Sequence, residues 1–89
     1  MKGKLKNGFK FEISDNISDD WEFVKLFRKA QQDSFYFVDL IVKMLGEEQE
    51  EKLCDSLRRE DGIVHTEDIA AAIEQMSSVI EKSGNAGKN

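Results

Sequence analysis

The stretch Lys4-Leu5-Lys6-Asn7-Gly8-Phe9-Lys10-Phe11-Glu12-Ile13 decides whether this chain is all-helical or mixed. Phe9, Phe11 and Ile13 alternate with Lys10 and Glu12, the period of a strand with one buried face. Met1, Gly3 and Leu5 alternate in the same way with Lys2, Lys4 and Lys6. Asn7-Gly8 between the two runs is a strong hairpin signal. The side chains also set the register. A two-residue loop would put the two apolar sets on opposite faces of the ribbon. A three-residue loop, Lys6-Asn7-Gly8, sets Leu5 opposite Phe9 and Met1 opposite Ile13, and all apolar side chains then share one face. Gly8 takes the left-handed position of a bulged turn. A lone hairpin is marginal, so this face must rest on helices.

Four helices are expected downstream. Ser18 is a good N-cap for a first helix over about 19–31, with Asp19 and Asp20 in its first turn. Phe23, Leu26, Phe27 and Ala30 make its face, widened by Trp21 and Val24. Asp33 or Ser34 caps a second helix over 34–45, in which nine of the eleven residues from Phe35 to Leu45 are apolar. Gly46 is its C-cap. Glu47, Glu48, Glu50 and Glu51 open a third helix over 47–59, with Leu53, Cys54 and Leu57 as a narrow seam. After a turn at Glu60-Asp61-Gly62, Thr66 caps a fourth helix over 66–82, striped by Ile69, Ala72, Ile73, Met76, Val79 and Ile80. The expectation is an α+β fold: one domain over 1–82, an N-terminal antiparallel β-hairpin (1–14) packed on about four short helices. Residues 83–89 read as a flexible tail.

Composition excludes several classes. The 89 residues are 39% hydrophobic and 35% charged, and 13 Lys+Arg against 18 Asp+Glu leave a net charge of -5. An acidic surface repels phosphate backbones, so no nucleic-acid partner is expected. Cys54 is the single cysteine, which rules out an internal disulfide. Met1-Lys2-Gly3-Lys4 has no apolar run behind it, so no signal peptide is expected. The run around Phe35–Leu45 is too short to span a bilayer, and no membrane partner is expected. One histidine, His65, and scattered glycines offer no triad, histidine metal cluster or phosphate loop. The reading is a cytoplasmic protein that is not an enzyme and carries no cofactor or metal.

Individual motifs point the same way. Asp61-Gly62-Ile63-Val64 before a helix has the look of an EF-hand end. With Gly62 as the sixth loop position, however, Leu57 and Arg59 fall where ligands are required, so a helix–turn–helix junction is the better reading. His65 reads as a loop histidine and Cys54 as a small core residue. Phe35-Tyr36-Phe37-Val38 is the informative run, because four successive large apolar residues span most of a helix circumference. Either the fold buries two faces of this helix, or an aromatic patch stays exposed for a partner. Phe35, Tyr36, Phe37 and Ile41 are the candidate partner-binding residues.

The order of segments carries a resemblance. Lys4 to Ile13 is followed by Asp20-Trp21-Glu22-Phe23-Val24, an apolar helix, Leu45-Gly46-Glu47-Glu48, then Leu57-Arg58-Arg59-Glu60-Asp61-Gly62-Ile63-Val64 and an amphipathic helix. From about Lys4 to Ile80 this resembles the tail assembly chaperones of long-tailed (siphovirus-type) phages and prophages of Gram-positive bacteria. Where members of that family often carry a proline at the start of the second helix, this chain has Asp33-Ser34-Phe35. The resemblance implies a protein that binds the tape measure protein and the major tail tube protein in the host cytoplasm. It would keep them soluble until the tube polymerises and be absent from the mature virion. It also implies a longer frameshifted product, to which Gly87-Lys88-Asn89 is suited by its purine-rich codons. Self-association is left open. The alternative reading is a small acidic adaptor or inhibitor protein that binds a host partner.

Overall fold

The computed structural model describes the backbone through Lys88 and the side chains through Lys82. The flexible tail expected over 83–89 lies outside the residues described in full. Strands β1 (Lys2–Lys4) and β2 (Lys10–Glu12) pair antiparallel, with Lys2 opposite Glu12, Gly3 opposite Phe11 and Lys4 opposite Lys10. The loop has three residues, as the alternation requires. The Leu5 amide donates to the Phe9 carbonyl at 2.8 Å, the Gly8 amide donates to the Leu5 carbonyl at 2.9 Å, and Gly8 has φ +97°. The Asn7 side-chain oxygen accepts from the Phe9 amide at 2.9 Å and stiffens the turn. Leu5, Phe11 and Ile13 are buried on one face, while Lys2, Lys4, Lys6 and Lys10 are exposed.

Two glutamines fasten the hairpin to the helices. Gln49 accepts from the Glu12 amide (2.8 Å) and donates to the Glu12 carbonyl (2.9 Å), as a paired strand would on the outer edge of β2. Gln75 accepts from the Lys6 amide at 2.9 Å at the turn end of β1. Both contacts satisfy backbone groups that would otherwise lie open for pairing.

The first helix begins later than expected. Ile17–Asp19 forms a 3-10 turn, and α1 runs Trp21–Gln32 with Asp20, not Ser18, as its N-cap. The Asp20 carboxylate accepts from the Glu22 amide at 2.9 Å. The extra turn places Ile17 in the core. Phe23 and Ala30 face inward and Leu26 and Phe27 are half-buried, whereas Trp21 (69% exposed) and Val24 face solvent instead of widening the buried face.

The second helix is also shorter. Asp33 accepts from the Phe35 amide at 3.0 Å and caps a 3-10 turn over Ser34–Tyr36, after which α2 runs Phe37–Leu45. Leu40, Ile41, Met44 and Leu45 are buried. Gly46 ends α2 and begins α3 (Glu47–Leu57); at φ +86°, ψ +162° it has an extended ψ rather than the left-handed helical conformation expected of the cap, which lets the next helix start at once. Helix α3 stops two residues before its expected end because Arg58 is extended. Helix α4 runs Thr66–Lys88, past its expected end at 82; Thr66 is its first residue and not its cap, since the His65 carbonyl accepts from the Asp68 and Ile69 amides at 3.0 and 3.2 Å. The core joins all the elements: Ile13 from the hairpin, Leu40 from α2, Leu53 from α3 and Met76 from α4 have almost no solvent exposure. Among the described residues, no helix is long and apolar enough to cross a membrane.

Candidate functional site

The four candidate residues do not form one patch. The 3-10 turn changes the phase of the chain just before α2, so consecutive aromatics diverge. Phe35 projects into solvent and is 86% exposed. Tyr36 turns toward α1, where the Lys29 ammonium lies 5.4 Å from its ring centroid. Phe37 is half-buried against the core. Ile41 is 2% exposed and belongs to the core, which corrects its reading as a surface anchor. It faces inward because it lies four residues after Phe37, on the same side of α2.

Phe35, Phe37 and Ile41 nevertheless border one depression. This groove of about 360 Å³ lies between α2, α3 and the start of α4. Phe35, Phe37, Val38 and Ile41 line one wall, and Cys54, Val64 and Ile69 line the other. Val38 is 62% exposed at its rim and was not among the residues expected to bind. Its signal was present in the sequence: it is one helical turn from Phe35 in a helix with more apolar positions than one buried face can use. Across Phe37 lies a second groove of about 400 Å³, lined by Phe27, Ala30, Leu40, Ile73 and Ser77. Among the described residues, its rim carries no strongly exposed aromatic or aliphatic side chain.

The polar groups at the first groove are few. The Cys54 thiol donates to Glu50 at 3.2 Å. Burial, reinforced by that bond and by the Glu50 charge, pushes the thiol up to about 11. Cys54 is therefore protonated at neutral pH and is a poor nucleophile.

The Arg58–Val64 segment, the most distinctive part of the sequence resemblance, spends its polar groups internally. Arg59 grips Asp68 with two bonds (2.8 and 2.9 Å) and Glu67 with a third (2.8 Å) across the first turn of α4. Asp61 accepts from the Ile63 amide at 2.9 Å and meets His65 Nε2 at 2.8 Å. Gly62 takes φ +83°, and its amide donates to the Arg59 carbonyl at 2.8 Å. The segment is a helix–turn–helix junction and its side chains are not arranged as an EF-hand. Among the described residues, no group of three or more His, Cys, Asp or Glu side chains is placed to hold a metal ion. Comparison with protein-family models, with curated proteins and with solved structures finds no match to this chain.

Proposed function

We propose that this protein is a tail assembly chaperone of a long-tailed phage or prophage. It holds tape measure and tail tube proteins soluble in the host cytoplasm and leaves before the virion is complete. The observation that carries this reading is Phe35, an aromatic side chain left 86% exposed beside an apolar groove. Covering one such side chain yields about 1.5–3 kcal/mol, enough for a contact that forms and releases. Many weak contacts along a long client give the avidity that holding needs, and client release remains easy. The order of sequence motifs from Lys4 to Ile80 supports the same assignment.

The test is co-expression with the tape measure and tube proteins of a siphovirus of a Gram-positive host. Both clients should stay soluble and co-purify with the tagged chain, and Phe35→Asp should remain folded but lose them. If the tagged chain, expressed in a phage-producing host, brings down a host enzyme or regulator and no tail protein, the proposal fails. The adaptor or inhibitor reading then takes its place.

A further inference from the structure

We infer that the groove between α2 and the α3–α4 junction seats an amphipathic helix with apolar anchors and basic flanks. This inference rests on the docking reading above and specifies the chemistry of the docked segment. Three observations carry it. First, the rim offers apolar surface that a partner can still cover: Phe35 is 86% exposed and Val38 is 62% exposed. The second groove lacks such a rim. Second, helical segments supply most of the walls, and their backbone groups are already bonded within the helices. An extended peptide laid there would leave its own amides without partners, whereas a helix arrives with its backbone satisfied.

Third, the charge that faces the groove is predominantly acidic. Glu50 lines it, and Glu47 and Glu51 stand one helical turn before Glu50 and Cys54 on α3. Asp39 follows Val38 on α2 and is exposed. The cation on α3, Lys52, stands two residues from both Glu50 and Cys54, on the opposite side of the helix, beside Glu48 (3.8 Å). Arg58, just past the end of α3, is committed to Asp55 (3.4 Å) and to the Gly62 carbonyl (3.2 Å). Lysines or arginines beside the anchors of a docked helix would meet these carboxylates, and acidic residues there would be repelled. A second copy of this chain is a weaker fit. Its α1 exposes Trp21 and Val24, but the remaining apolar face of that helix is spent on its own core.

The test uses the full chain and two labelled 18-residue synthetic helices with the same leucines at i, i+3, i+4 and i+7. One carries lysine and the other glutamate at the flanking positions. Fluorescence anisotropy should show the lysine helix binding about tenfold or more tightly than the glutamate helix, with the preference shrinking as salt is raised. Phe35→Ala and Val38→Ala should each weaken binding several-fold with an unchanged circular dichroism spectrum. Equal affinity for the two helices, or indifference to both substitutions, would overturn the assignment. So would concentration-dependent self-association, seen by sedimentation and abolished by Trp21→Ala, that blocks the lysine helix. If tape measure protein still co-purifies in any of these cases, only the groove assignment is lost and the chaperone proposal stands.

Discussion

Gly3 and Phe11 face each other across the hairpin, and the Phe11 ring lies where a side chain on residue 3 would project. A Cβ on Gly3 would collide with the ring tip, and Phe11 is too well buried to swing away freely. Gly3→Ala should therefore cost about 1–3 kcal/mol, the usual price of overpacking. Urea unfolding would show it as a lower midpoint at unchanged slope, and an unchanged midpoint would mean that the ring moves easily. This pairing was only half legible in the sequence. Alternation put residue 3 on the apolar face, but the need for glycine there appears only once the ring lies across it. Cys54 read as a small core residue, but it is only partly buried and lines the groove wall, and its reactivity can be checked directly. With its thiol pushed up to about 11, alkylation by iodoacetamide at pH 8 should run roughly tenfold to a hundredfold slower than for a free thiol. A rate equal to that of glutathione would show the thiol to be in open water.

Between elements, the legible features were those over-determined by several signals. The hairpin register had one solution that put all the apolar residues on one face, and the structure adopts it. Gly46 was legible for the same reason, as the only residue after a long apolar run able to take positive φ without strain. It is the whole connection between α2 and α3, serving both as the end of one and the start of the other. Gly46→Ala meets no steric neighbour, so its cost is conformational alone: at φ +86°, ψ +162° the backbone lies in a region essentially reserved for glycine, and the cost is about 1–3 kcal/mol. A thermal melt should fall by several degrees, and a melt unchanged within a degree would show that the junction relaxes. The starts of α1 and α2 were less legible. Each is preceded by a 3-10 turn, whose tighter winding is invisible to a pattern read at 3.6 residues per turn. At α1 that turn brought Ile17 inside and moved the cap to Asp20. At α2 it turned Phe35 outward, and the Phe37 phase then carried Ile41 into the core. The candidate site was thus legible as a run with too many apolar residues, while the side chains left exposed were decided by local winding.

At the scale of the whole molecule, exposed ion pairs tie together elements distant in sequence. Lys43 on α2 lies 3.1 Å from Asp20 at the start of α1 and holds that carboxyl below its usual range. Arg59 does the same to Asp68, joining the end of α3 to α4. Asp61 is lowered first by the Ile63 amide and then by His65. A carboxyl with a depressed folded pKa binds fewer protons when folded than when unfolded at pH 3–4. Its contribution is complete above the unfolded value near 3.8, and it is lost as pH falls through the folded value. Stability should therefore be insensitive to these groups between pH 5 and 8 and should decline below about pH 4. Because all three carboxyls are solvated, the decline should be shallow and should weaken further in high salt. Arg59→Gln isolates the junction, since it removes the partner of Asp68 and leaves the Asp61 turn in place. Melting curves from pH 7 to pH 3 should show the variant starting lower than the parent at neutral pH, with a gentler fall on acidification. The two should draw together at the acid end, where Asp68 is protonated in both. Parallel curves at every pH would mean that the Arg59–Asp68 contact is spectator geometry and that apolar packing alone fixes α4 against α3.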